Sequence, residues 1–431
     1  MVDLPDQGRN NLPPLRLHVP EPRFRPGDTA DFSNVDIDTV GRLPRPDVHV
    51  APAQIHDHAY GLVRVLDLDG QASGGWNPNL SRDRLHAMLR YMMLVRAFDD
   101  RMFRAQRQGK TSFYMKSTGE EAVSIAATMA LGRDDMCFPS YRQQGILIAR
   151  DYPLIDMMNQ IYSNRADPLK GRQLPIMYSA KDHGFFSISG NLATQYPQAV
   201  GWAMASASKG DNRISAVWCG EGSTAEGDFH SALTFAAVYN APVIFNVVNN
   251  QWAISSFSGF AGGERTTFAA RAIGYGVAGL RVDGNDALAV YAATQWAADR
   301  ARTNGGPTLI EHFTYRAEGH STSDDPSGYR AREEYAAWPL GDPVDRLHGH
   351  LKLLGDWDDA ARDALRAQLE TLVKDTQKAA EKNGILGHGM HQPFNSMFED
   401  VFENMPHHLA EQRDQMIAEQ RRKFGPDWEP N

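Results

Sequence analysis

From Ser81 onward apolar side chains recur every three or four positions, and Leu85, Met88, Leu89, Met92 and Val95 share one face of a helix. Ser81 suits the N-cap, so the spacing predicts a helix over about 81–108, ending before Gly109. A second helix is expected from Ser117 and Thr118, because Glu120 and Glu121 follow at capping-box spacing. Between about 185 and 315 the period changes. Short β-rich runs at 213–219, 241–250, 280–282 and 307–314 alternate with helical stretches at 224–239 and 287–303. Strand, helix, strand in that order implies right-handed crossovers, hence an α/β fold with a parallel sheet and helices on both faces. Helical patterns over 358–382 and 397–423 predict a mainly helical C-terminal tail.

The first 80 residues break this rhythm. They hold 10 of the 24 prolines, and proline fixes φ and removes a donor, so an extended arm is expected. Tyr60, Trp76 and the run 63–70 predict that the second half of the arm packs on something. The chain thus divides into a proline-rich arm (1–80), an α/β domain (81–345) and a helical region (346–431).

Composition narrows the function. The 431 residues are 42% hydrophobic, enough for a large core. Acidic residues outnumber basic ones by 53 to 44, and a net charge of −9 argues against nucleic acid, which needs a basic face. No apolar run reaches the ~18 residues of a membrane span. The first ten residues, MVDLPDQGRN, have neither signal-peptide nor transit-peptide character, so a cytoplasmic location is expected. Cys137 and Cys219 are the only cysteines, which leaves no disulfide framework and no cysteine-rich metal site. The histidine pairs His56/His58, His348/His350, His388/His391 and His407/His408 lack any metal-site pattern and read as surface residues.

In open parallel sheets ligands bind at the carboxyl ends of strands. One predicted strand ends at Gly220-Glu221-Gly222 and the next at Asn249-Asn250. Gly220, Gly222 and Ala225 match a loose dinucleotide fingerprint, but that fingerprint wants an acid about 20 residues on. The second strand ends instead in neutral amides. A divalent cation on a diphosphate fits better, because Mg²⁺ takes oxygen ligands. Glu221 offers a carboxylate, Asn250 an amide oxygen, and the chain just beyond a carbonyl. Gly220 and Gly222 let backbone approach phosphate closely. Singly, Glu221 reads as a helix-start acid and the asparagines as turn residues. The 26 residues from Ser223 to Val248, one helix and one strand, bring them to one place.

Gly-Glu-Gly, 26 residues and Asn-Asn resemble the thiamine-diphosphate motif, with Glu221 where aspartate is usual. Four further segments extend the likeness across about 80–405: PSYRQQGILIARDYPL at 139–154, SISGNLATQYPQAVG at 187–201, NNQWAIS at 249–255 and YRAEGHSTSDDPSGYR at 315–330. Together they are similar to the α subunits of branched-chain 2-oxoacid dehydrogenases. The resemblance implies a thiamine-diphosphate-binding fold with Mg²⁺ held by Glu221, Asn250 and the Trp252 carbonyl. It gives Arg142 the phosphate grip, a role suited to a planar guanidinium, with Tyr141 beside it. Gly190 and Leu192 would meet the aminopyrimidine ring through main-chain groups, and Arg316 would assist with phosphate. Ser189, Thr194 and Gln195, all neutral oxygens, would hold K⁺. His320 would be the catalytic acid and base, work for which imidazole is suited near neutral pH.

The implied reaction is decarboxylation of 2-oxoacids such as 3-methyl-2-oxobutanoate, with acyl transfer to the lipoyl arm of a transacylase. The implied partner is a β subunit that supplies the glutamate facing the aminopyrimidine, in an α₂β₂ tetramer. No membrane partner is expected. Pyruvate or acetoin as substrate is the alternative, although pyruvate-type subunits more often read HGHSMSDP where this chain reads GHSTSDD at 319–325. A silent assembly protein that had kept the fold would have been free to lose Arg142, Glu221, Asn250 and His320. Ser321 matches a serine phosphorylated in mitochondrial relatives; here it is expected to be an ordinary loop residue.

Overall fold

The computed structural model describes residues 13–33, 35, 37–355, 357–389 and 392–429. Its strands in chain order are β1 (Leu62–Val63), β2 (Met136–Phe138), β3 (Ser215–Gly220), β4 (Val243–Asn249), β5 (Trp252–Ala253), β6 (Ser256–Phe257), β7 (Ala278–Asp283) and β8 (Thr308–Phe313). Six of them run parallel in one sheet, in the order β1-β7-β8-β4-β3-β2. The other two, β5 and β6, make a small antiparallel hairpin between β4 and β7.

Alternation of side chains in β3 sorts the core into two layers. Ala216 and Trp218 face one side, with Met88 and Met92 of helix Arg82–Arg107, Ile125 of Glu121–Ala130 and Trp296 of Ala287–Arg302. Val217 and Cys219 face the other, with Tyr196 and Ala199 of Gln195–Ser208 and Phe229 and Leu233 of Gly227–Tyr239. Covered on both faces, β4 and β8 are buried along their whole length; β4 reads as an apolar run broken by Asn246, while the buried Glu311 and His312 of β8 meet Asn249 Nδ2 and Asn246 Oδ1, both at 2.8 Å.

The strand and helix expectations hold within a few residues, with instructive exceptions. The second helix starts at Glu121, later than expected. Ser117 is taken by buried Asp99, to which it donates through its main-chain N (2.7 Å) and Oγ (2.8 Å), so no capping box forms. The stretch 224–239 opens with a 3₁₀ turn, Glu221–Ala225, before helix Gly227–Tyr239. The stretch 397–423 is a 3₁₀ turn, Phe394–Phe398, and a helix, His407–Phe424, parted by Pro406.

Three histidines expected at the surface are buried: His58, His348 and His350. His58 Nε2 lies 2.7 Å from the Pro44 carbonyl and His350 Nδ1 2.8 Å from that of Gly70. His348 bridges Asp359 (2.8 Å) and the Trp357 indole (2.9 Å). Each joins its own element to a group from another, a use that local sequence does not announce. His56, His388, His407 and His408 are exposed; His391 lies outside the described residues, as do the first twelve.

Among the described residues of the arm no helix or strand forms before Pro52, and the stretch beyond Pro44 is integrated into the domain. Phe32 packs edge-on to Trp338 (5.4 Å), and the Trp296 indole donates to the Pro46 carbonyl (2.9 Å). Val63 and Trp76 are buried. Asp286 makes the join. Its Oδ1 caps helix Ala287–Arg302 by accepting from Leu288 and Ala289 N (both 3.0 Å). Its Oδ2 accepts from Val65 N (2.7 Å) and Leu66 N (2.6 Å), with Arg346 3.6 Å away. No helix among the described residues is long and apolar enough to cross a membrane. Asp286→Ala strands four backbone donors, while Arg346 keeps Asp283 (2.8 Å), so urea unfolding should show a loss of about 3–5 kcal/mol, with Asp286→Asn losing less.

Candidate functional site

β3 and β4 are neighbours, so their carboxyl ends place Glu221 and Asn250 side by side above the sheet. Glu221 is buried, and burial pushes its carboxyl up to about 7, although the main-chain N–H groups of Glu221 and Asn250 and the charge of Arg316 pull the other way. Its Oε1 is buried with no hydrogen-bond partner. Asn250 directs Nδ2 at Glu120 Oε1 (2.7 Å), and its Oδ1 accepts from Trp252 N (3.3 Å).

The loop that follows holds Gln251 (φ 74°) and Ile254 (φ 55°) in the left-handed region. Such strain persists only when surroundings enforce it. Gln251 Nε2 donates to Asn249 Oδ1 (3.0 Å), and Arg316 donates to the carbonyls of Trp252 (2.8 Å) and Ile254 (2.9 Å). Arg316 also donates to Tyr329 OH (2.7 Å), which in turn donates to Asp324 (2.6 Å).

Arg142 donates to the carbonyls of Lys116 and of His320 (3.0 Å for the latter) and lies 3.6 Å from Glu120 Oε1. His320 packs edge-on to Tyr141 (5.7 Å), and its main-chain N donates to Asp324 Oδ2 (2.5 Å). Burial, then the charges of Arg142 and Arg316, lower its pKa to about 3, so the ring is neutral near pH 7. Nδ1 lies 3.4 Å from Arg142 Nη2 and 3.5 Å from Arg316 Nη1. Guanidinium groups only donate, so Nδ1 accepts and the ring proton sits on Nε2.

One cavity of about 490 Å³ is lined by Tyr141, Arg142, Gly190, Leu192, Gly220, Glu221, Gly222, Asn250, Trp252 and His320. A Cβ added at Gly190 or Gly220 would meet no protein atom within 4 Å, whereas one at Gly222 would lie 2.5 Å from Ala253 Cβ. Arg316 lies beneath this lining, its donors spent on loop carbonyls. Ser189 and Thr194 meet outside this lining: Thr194 Oγ1 is 2.9 Å from Ser189 Oγ and 3.2 Å from the Asn191 carbonyl. Gln195 Nε2 donates to the Trp218 carbonyl (2.7 Å), and its Oε1 is buried without a partner.

The donors suit the groups expected of them. Glu221 Oε1, an amide oxygen and the free lone pair of the Trp252 carbonyl are ligands a hard divalent cation takes. The oxygens of Ser189, Thr194 and Gln195 are neutral, the kind a monovalent cation takes. Sequence reading missed the Asn191 carbonyl and Glu120. The capping-box pattern assigns Glu120 to a helix start; two adjacent acids after Gly119 were the available signal, since both cannot serve one cap.

Residues 89–388 match the family model described as the dehydrogenase E1 component. The chain belongs to this family. Residues 13–53 match the model of the N-terminal segment of 2-oxoisovalerate dehydrogenase E1 alpha subunits. The chain is 60% identical, over 94% of its length and 98% of the relative's, to the 2-oxoisovalerate dehydrogenase subunit alpha of Pseudomonas aeruginosa. It is 40% identical to the mitochondrial subunit alpha of Mus musculus, covering 82% of this chain and 79% of that one. With subunit alpha 1 of Arabidopsis thaliana it shares 39% over 81% of this chain and 73% of that one.

Folded, metal-free Glu221 keeps its proton up to about pH 7, whereas the unfolded chain releases it near 4.5. Its contribution to stability is therefore full below pH 4.5 and is lost as pH rises to about 7. Metal-free Glu221→Gln should melt above the parent at pH values over 7, and the two should converge below 4.5. Thermal melts across that range check it.

Proposed function

We propose that this chain is the diphosphate- and metal-binding half of a thiamine-diphosphate-dependent enzyme that decarboxylates branched-chain 2-oxoacids such as 3-methyl-2-oxobutanoate. The observation that carries the reading is the meeting of Glu221, with its unpartnered oxygen, Asn250 and Arg142 around one cavity with His320 on its wall. Membership in the E1 family supports thiamine diphosphate as the cofactor, and the named relatives support the branched substrate. When bound, the cofactor supplies the electron sink that lets a 2-oxoacid lose carbon dioxide.

The chain's own residues hold and position. Glu221, Asn250 and the Trp252 carbonyl hold Mg²⁺. Arg142 turns its donors to phosphate oxygens, beside Tyr141, while Gly220 keeps the backbone clear for them and Gly222 leaves room for Ala253 behind the turn. Gly190 and Leu192 meet the aminopyrimidine ring through main-chain groups. Arg316 acts from below by fixing the Trp252–Ile254 turn. His320, neutral and carrying its proton on Nε2, exchanges protons with substrate, and Tyr141 and Asp324 fix its ring and backbone. Ser189, Thr194 and Gln195, with the Asn191 carbonyl, hold K⁺ and brace Gly190 and Leu192 from behind.

The site is half built. Leu192, Ile254 and Phe260 line its mouth while exposed by 48, 54 and 60%, an apolar rim that supports burial against a partner. That partner is a β subunit, in an α₂β₂ assembly that hands its acyl group to the lipoyl arm of a transacylase. The division into arm, α/β domain and helical region, and a cytoplasmic location, belong to the same proposal.

Co-expressed with a β subunit, the chain should release CO₂ from 3-methyl-2-oxobutanoate faster than from pyruvate, and only with thiamine diphosphate and Mg²⁺. His320→Ala should lower kcat by about 10²–10⁴-fold while cofactor binding survives. Preference for pyruvate would overturn the substrate, and no turnover by an assembled complex would overturn the enzyme reading.

A further inference from the structure

Glu120 is buried at the start of helix Glu121–Ala130, 130 positions before Asn250, and belongs to no part of the scheme above. Its Oε1 accepts from Asn250 Nδ2 at 2.7 Å and lies 3.6 Å from Arg142 Nε. An amide has two faces that differ only in whether oxygen or nitrogen is presented. Besides Glu120, the Trp252 N–H at 3.3 Å from Oδ1 favours one face, through a longer bond than the 2.7 Å one to Glu120. An ionised carboxylate only accepts, so it accommodates Nδ2 and rejects Oδ1. We propose that Glu120 is a positioning residue that fixes the polarity of the Asn250 amide, so that Oδ1 faces the divalent cation, and that tethers Arg142 beside it. One buried acid thereby sets both the metal ligand and the phosphate-binding guanidinium. Its own charge is matched by Arg142, and burial without that partner would be costly.

The inference rests on the reading of Asn250 as a metal ligand, and the experiment separates the two. Mn²⁺ is titrated into the assembled α–β complex in the presence of thiamine diphosphate, and free Mn²⁺ is read by electron paramagnetic resonance. Glu120→Gln, whose amide presents either polarity, should weaken Mn²⁺ binding by about 10- to 100-fold, the usual cost of losing a partner that orients a ligand. The exchanged pair Glu120→Gln/Asn250→Asp should recover most of the affinity. In that pair the introduced amide donates to one oxygen of the introduced carboxylate and leaves the other for the ion. Asn250→Asp alone sets two carboxylates against each other and should bind more weakly than the exchanged pair.

Parent-like affinity in Glu120→Gln would overturn the proposal. So would an exchanged pair no tighter than either single variant, since a merely structural Glu120 gains nothing from the exchange. Unchanged Mn²⁺ binding in Asn250→Ala would overturn the ligand reading itself. Loss in Asn250→Ala with none in Glu120→Gln would leave that reading standing and remove only the role of Glu120.

Discussion

The buried guanidinium of Arg316 joins two of the loops that build the site. One loop leaves β4 and turns back through Trp252 and Ile254; the other carries His320 and Tyr329. Arg316 reaches carbonyls of the first and the hydroxyl of Tyr329 in the second, all within 3.0 Å. Burying a guanidinium costs free energy unless its donors are met, so both loops are held to the one geometry that meets them. The left-handed turns at Gln251 and Ile254 are consequences of that demand. Arg142 and Arg330 add further positive charge beside Arg316, and burial together with these neighbours lowers its pKa. A region so loaded with guanidinium groups favours an anion, and it sits at the strand ends where a diphosphate would arrive.

The sheet was legible because its physics is local. In 213–219 and 241–250, apolar, β-branched runs between helical stretches suffice to predict strands buried on both faces. Glu221 and Asn250 were legible for the same reason, lying next to those strands in sequence. What escaped depends on distant partners. Ser117 looked like a cap until Asp99 claimed it, and Glu120 looked like part of that cap until Asn250 did. His58, His348 and His350 have no local mark of burial, since the backbone or side-chain groups that satisfy them come from other elements. Pro406 is the exception: it lies inside the 397–423 pattern, and a proline there is itself a local mark of a break.

Stability and chemistry pull against each other at Glu221. A carboxylate with an unpartnered oxygen in a buried site disfavours the folded, metal-free subunit at neutral pH, and the same unmet oxygen makes it a good ligand. The Gln195 oxygen repeats the device with a neutral group. A ligand that met these buried, unsatisfied oxygens would stabilise the fold as it bound.

The pairing of β1 with β7 joins Val63 to Val282, 219 positions apart, and so fixes an order of events at the ribosome. At about 5–20 residues per second, the arm emerges on the order of 10–40 s before the strand that receives it exists. Through that wait it must neither aggregate nor adopt a competing structure. A chain segment repeatedly interrupted by proline suits the interval, because it offers no long β-prone run to a neighbouring nascent chain. A composition that disfavours long regular elements is what lets the arm be made first and docked late.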